Sequence, residues 1–224
     1  VHEGRIASLT LQQEGSDPVS GWTVLRPHTL VVGLYSFDGD GALVRTHRLP
    51  VVLEAASLDV VEAVGLPAPD LVIVNDEDLT YAISRLDERS TDVALAYVGT
   101  IDAAITRAVI WASLWNAVRD GLLDPRRFVV AVLNAVPSET EPAIRDRLLL
   151  FVAEAISSFL PGQARADVHD QVLATTIRLS RETEDSDAWR SYTRAFIAAF
   201  AARAGEEYEA TVRDFASRAN PALA

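Results

Sequence analysis

At residues 70–87 the chain changes its period. An apolar run, Leu71 to Val74, ends at Asn75, three acids follow (Asp76, Glu77 and Asp78), and a further extended stretch is expected around Tyr81. Four apolar or β-branched residues closed by Asn and Asp read as a buried strand entering a tight turn. Before this point the apolar residues recur at strand spacing. After it they recur at helix spacing. That switch predicts an antiparallel β-sandwich domain over 1–87 and an α-helical domain over 88–224.

Within the first region, Arg5 to Gln13 alternates Ala7, Leu9 and Leu11 with Ser8, Thr10 and Gln12, as a half-buried strand does. A loop follows over Glu14 to Gly21. Thr29 to Phe37 is a dense apolar strand. Asp38-Gly39-Asp40-Gly41 reads as a hairpin turn, because Asp-Gly accepts positive φ. Ala42 to Leu53 then returns antiparallel, with Arg45, His47 and Leu49 on alternating faces. Leu58 to Val64 and Asp70 to Val74 supply two more strands. Six or so short antiparallel strands argue a sandwich.

In the second region a helix begins near Val93. Another is expected from Asp102 to Asp120, with Ile105, Val109, Trp111, Ala112, Leu114, Trp115 and Val118 on its broad apolar face and Gly121 as its C′ residue. Asp124-Pro125 opens the next as N-cap and N1. Ser138 and Glu141 have capping-box spacing ahead of a helix over Ile144 to Leu160, which Pro161-Gly162 closes. Helices over Asp167 to Arg181, Ser186 to Ala204 and Gly205 to Ala219 complete the chain. Short links between successive helices predict an array of HEAT-like hairpins, superhelix-like and not a closed bundle.

Composition narrows the function. The net charge of −12 argues against nucleic acid, which needs a basic face, and against an anionic membrane surface. No run approaches the roughly 18 apolar residues that span a bilayer, and Val1 to Gly15 has no signal-peptide core. The chain has no Cys, so disulfides, thiolate metal sites and a Cys nucleophile are excluded. This fits a reducing compartment, and a cytoplasmic location is expected. Every basic residue is Arg, and Met is absent. Initiator removal would explain the second fact; an internal piece of a longer protein is the favoured expectation.

No constellation carries obvious chemistry. His2-Glu3 opens like a His-Glu-x-x-His zinc helix, but the second His would fall at Ile6. His2, His28, His47 and His169 form no pair with metal-ligand spacing. For His28, after Arg26-Pro27, anchoring the start of a strand outweighs a ligand role. Asp76, Glu77 and Asp78 could hold a cation, yet they lack the alternating oxygens of a calcium loop. A solvated turn, or carboxylates accepting backbone N–H bonds, is the better reading. Trp111 and Trp115 could form an aromatic platform, but core packing is favoured. No nucleophile elbow and no Gly-rich phosphate loop occurs. No catalytic, cofactor-binding or metal-ligating residue is therefore assigned.

Several segments, in order, resemble one family. They are Arg26-Pro27-His28 with Val32-Gly33-Leu34-Tyr35, then Leu71 to Ala82 with Arg85-Leu86-Asp87, then Arg107 to Trp111 and Leu114-Trp115 with Arg119-Asp120. Together they resemble the C-terminal half of the aminopeptidase N family of zinc metallopeptidases, actinobacterial members above all, over residues 4–121. Beyond residue 137 only the helical character agrees. Ile83 stands where relatives usually carry Lys, and Asn116 where they carry Asp, which touches domain docking more than chemistry.

The resemblance implies that the zinc helix, the third zinc ligand and the Gly-x-Met-x-Asn segment lie in an earlier thermolysin-like domain. It implies a β-sandwich followed by a helical domain that arches over the catalytic domain and limits access of peptides to the metal. Relatives carry a longer C-terminal domain, so the array is expected to stop partway. The leading expectation is thus a non-catalytic region of a zinc aminopeptidase. It would be inactive alone and hold no cofactor of its own, with zinc in the absent catalytic domain. Its partners would be that domain and peptide substrates. The alternative is a stand-alone helical interaction module.

Overall fold

The structure, a computed structural model of the chain, describes residues 1–17, 19–203 and 209–219. Packing divides the chain into two compact units, Val1–Ala117 and Val118–Ala224. Among the described residues, antiparallel strands come first and seven α-helices follow.

The first unit holds two small sheets. Strands β1 (Thr10–Gln12) and β4 (Ser57–Asp59) pair antiparallel. Strands β2 (His28–Phe37), β3 (Leu43–Leu53) and β5 (Leu71–Val74) form the other sheet in the order β3-β2-β5. Alternation on β2 sends Leu30, Val32 and Leu34 to one face, where they join Leu11, Val51, Leu53 and Val60 in a core shared by both sheets. The opposite face carries Val31, Gly33 and Tyr35, beside Leu71 and Ile73 of β5. Helix α1 (Glu88–Tyr97) is tied to this sheet, since the Val72 N–H donates to Ser90 Oγ at 3.0 Å. Phe37 also packs edge-on against Tyr97, with centroids 4.8 Å apart.

Five strands form among the described residues, one fewer than expected. In Arg5 to Gln13 only Thr10–Gln12 pairs as a strand. Upstream the buried apolar residue is Ile6, not Ala7. The expected strand Leu58 to Val64 breaks after Asp59 into one 3₁₀ turn over Val61–Ala63, and the stretch around Tyr81 belongs to no strand. The hairpin at Asp38–Gly41 forms as expected. Asp38 Oδ1 accepts the N–H groups of Asp40 and Ala42, each at 2.9 Å, and Gly41 takes φ 82°.

Helix α2 (Ala104–Arg119) starts two residues after Asp102. It buries Val109, Ile110, Trp111, Leu114, Trp115 and Val118, whereas Ile105 and Ala112 are exposed. Gly121 ends the helical run at φ 72°, with its N–H on the Val118 carbonyl.

In the second unit, α3 (Pro125–Ala135) starts as expected: Asp124 accepts the Arg126 N–H, and Pro125 is at N1. Helix α4 (Pro142–Glu154) does not use the expected capping box. Ser138 Oγ instead donates to the Ala135 carbonyl at 3.0 Å, and Glu141 is the N-cap residue with no side-chain bond. The chain then widens into a π-helical turn over Ala155–Phe159.

Helix α5 (Gly162–Glu182) starts five residues before the expected Asp167. Helices α6 (Ser186–Arg203) and α7 (Glu209–Ala219) follow. The expected end at Ala204 and start at Gly205 lie outside the described residues. Leu173, Phe196 and Phe215 join α5, α6 and α7 in one cluster. No helix among the described residues is long and apolar enough to cross a membrane.

Candidate functional site

The densest polar assembly in the first unit is built around Asp76. Its carboxylate lies at the end of β5 and is fully buried. Burying a charge is costly unless partners replace water, and here four side-chain bonds do so. The Tyr35 hydroxyl lies 2.9 Å from both carboxylate oxygens. Thr106 Oγ1, on α2, donates to Oδ1 at 2.8 Å. Arg45 Nη1 donates to Oδ2 at 2.9 Å. The Asp76 N–H also donates to the Val31 carbonyl at 3.0 Å. The cluster thereby joins β2, β3, β5 and α2.

Glu77 extends it outward. Arg48 holds it with Nε and Nη2, both at 2.7 Å, and Arg45 adds Nη1 at 3.0 Å. The two guanidinium groups, Arg48 first, pull the Glu77 pKa from 4.5 down to about 2. Burial pushes the Tyr35 phenol up to about 12, with the Asp76 charge adding to it. Tyr35 is thus a proton donor to Asp76 over the whole physiological range.

Strand geometry makes this convergence possible. Arg45 and Arg48 are three residues apart, so regular alternation would put them on opposite faces. A register shift between Leu34 and Tyr35 inserts an extra residue, Thr46, into β3. Arg45 then pairs with Tyr35 and Arg48 with Gly33, two residues apart on β2 and therefore on one face. Thr46 Oγ1 donates to the Leu34 carbonyl at 3.1 Å.

The expectation for Asp76, Glu77 and Asp78, a solvated turn or carboxylates accepting backbone N–H bonds, is corrected here. Asp76 and Glu77 are held by side chains distant in sequence; only Asp78 is exposed. The turn itself is built by its neighbours. Asn75 and Asp78 take φ 63° and 52°, a region open to Asn and Asp. Asn75 bonds Thr80 twice, through Oδ1 to its N–H at 3.2 Å and Nδ2 to its carbonyl at 2.9 Å. Tyr35, Arg45, Arg48 and Thr106 went unassigned because nothing in the linear pattern links them to Asp76.

The other candidates are dispersed. His2 and Glu3 sit in a reverse turn closed by two backbone bonds between His2 and Arg5, so they are not on a helix. His28 Nδ1 bonds Thr80 Oγ1 at 2.7 Å where β2 begins, and His47 lies on β3 beside Thr46. Trp111 and Trp115 are buried. His169 lies on α5 in the second unit and is buried. There it borders a cavity of about 660 Å³ between α4, α5 and α6, walled by Leu149, Val152, Ile156 and Val172. Asp146 at its edge bonds Ser191 and, at 2.7 Å, Arg194.

This arrangement fits structural support better than catalysis. Asp76 spends its lone pairs on fixed donors, and Glu77 is held by two arginines. Neither is poised as a general base. Among the described residues no group of three or more His, Asp or Glu could hold a metal ion.

Comparison with known proteins gives the family. Residues 71–221 match the profile of the family described as ERAP1-like C-terminal domain. The chain belongs to that family. The match starts at β5, so it includes the Asp76 turn, α1 and all later helices. It also runs well past residue 137, where the motif resemblance left only helical character. The chain is also 32% identical over 200 residues to Aminopeptidase N of Streptomyces lividans, a stretch covering 88% of the chain and 23% of that protein. It therefore spans about a quarter of the length of the curated relative that it matches. Within the matched region Ile83 is exposed and Asn116 half-buried.

Proposed function

We propose that this chain is a non-catalytic C-terminal region of a zinc aminopeptidase, a class that removes N-terminal residues from peptides, and that it supports the catalytic domain and gates access to it. The family match over 71–221, set beside a relative more than four times longer than the matched stretch, carries this reading. In it the sheets of 1–87 act as a rigid spacer, and the helices from Glu88 onward form a superhelical wall of the substrate chamber. The Asp76 cluster supports the spacer role, because it bonds all three strands of one sheet to α2.

The side chains described do not fit zinc, so the metal is assigned to the catalytic domain of the parent chain, and no chemical step is assigned to this one. The net charge of −12 suits a chamber that attracts peptides with a free, positively charged N-terminus. A cytoplasmic location fits a chain without cysteine.

Two measurements test the reading. With zinc added, the 224-residue chain should release no chromogenic group from an aminoacyl substrate above the buffer rate. The gene upstream of Val1 should encode a His-Glu-x-x-His helix and a later Glu. A start codon a few residues upstream would instead favour a stand-alone interaction module.

A further inference from the structure

We infer that Leu79, Tyr81 and Ile83 form a docking strip covered by another folded domain of the same parent polypeptide. This rests on the reading that the chain is part of a larger peptidase, and it names the surface where the two parts meet.

The strip inverts the usual pattern of a solvent-facing segment. Tyr81 is 102% exposed, Ile83 63% and Leu79 54%. The polar residues between and after them, Thr80 and Ser84, are half-buried. Single exposed apolar residues are common. Three large ones within five residues, with Ala82 between Tyr81 and Ile83 exposed as well, make a continuous apolar run and mark an interaction surface. The backbone agrees: among the described residues Tyr81, Ala82 and Ile83 make no backbone hydrogen bond and lie in no strand or helix. Their N–H and C=O groups are open to a partner.

The segment is nevertheless fixed at both ends. Asn75 bonds Thr80 twice and His28 bonds its hydroxyl. Asp87 caps α1 through the Ser90 N–H at 2.9 Å. The His28–Thr80 bond also ties the strip to the start of β2. The strip is held in place for contact.

Its size selects the occupant. A free-standing protein interface engages about 20 residues a side, far more than this short segment. A second copy would bind too weakly to stay. A tethered domain needs no such area, because the tether supplies a high effective concentration. The matched relative has such a domain to offer, since the chain spans only 23% of its length.

Hydroxyl-radical labelling read by mass spectrometry tests this on two proteins: the 224-residue chain and the full product of its gene. Tyr81 should label freely in the first and several-fold more slowly in the second. Tyr35, 3% exposed, should be silent in both. Equal labelling of Tyr81 would overturn the docking strip, and an upstream zinc helix would still uphold the larger-peptidase reading. Protection of Tyr81 that grows with concentration in the 224-residue chain alone would identify a second copy as the occupant and overturn it too. A gene product with no further domain would overturn both readings.

Discussion

Gly33 lies directly against the carboxylate of Asp76: a Cβ on Gly33 would stand 2.4 Å from Oδ2 and 2.8 Å from the Tyr35 ring. No real Cβ sits that close, and both obstacles are themselves pinned. Tyr35 is on the same strand, and Asp76 is held by four side-chain bonds. Relief requires breaking the cluster. Gly33→Ala should therefore cost about 3 kcal/mol, at the upper end for overpacking, because a charge loses partners as well. Urea unfolding followed by circular dichroism measures it. An unchanged midpoint would mean that the cluster yields freely.

Removing the carboxylate asks what the cluster contributes. Asp76→Ala leaves the Tyr35 and Thr106 hydroxyls facing an empty buried site and Arg45 with only Glu77. Breaking a buried pair from one side costs about 3–5 kcal/mol. The lower end is expected here, since the Arg45 side chain keeps 35% of its exposure and can reach water. Asp76→Asn keeps an acceptor for Tyr35 and should cost less than Asp76→Ala. The reverse order would mean that the site tolerates a cavity better than an amide.

Two pKa shifts in the first unit couple its stability to pH. Glu77 is depressed from 4.5 to about 2. Its unfolded form binds a proton first on acidification, so its contribution is present above pH 4.5 and is lost as pH falls toward 2. Tyr35 is raised from 10.0 to about 12. Its contribution is complete below pH 10 and is lost as pH rises through 12. Stability should thus be flat between these limits as far as the two groups govern it. Glu77→Gln should flatten part of the loss between pH 4.5 and 2 and leave the alkaline limb unchanged. Urea midpoints at pH 7, 4 and 3 decide this, and an identical acid slope in the variant would exclude Glu77 from it.

Local chemistry was legible in the sequence, and long-range pairing was not. The Asp38–Gly41 turn, with its positive φ at Gly41, Asp-Pro at Asp124 and Pro125, and Gly121 each act within a few residues, and each forms what its type dictates. The switch from strands to helices likewise follows from apolar spacing. The Asp76 cluster depends on partners 41 and 30 residues away, Tyr35 and Thr106. It also depends on a bulge at Thr46 that turns Arg45 onto the face of Arg48. No linear period encodes a bulge. The start of α4 failed for a local reason: Pro142 fits N1, which makes Glu141 the N-cap and leaves Ser138 outside the helix.

That contrast between the two helix starts is itself testable. Asp124 accepts the Arg126 N–H at 2.8 Å and pairs with its guanidinium at 3.0 Å. Loss of such a cap costs about 1 kcal/mol; the exposed ion pair adds little. Ser138 offers α4 nothing of the kind, since its hydroxyl points back to the Ala135 carbonyl. Asp124→Ala should therefore lower the stability of the second unit by about 1 kcal/mol. Ser138→Ala should change it by less than about 0.5 kcal/mol, as surface changes away from a cap do. Thermal unfolding of both variants beside the parent chain compares them directly. Equal losses would show that Ser138 does cap α4 in solution.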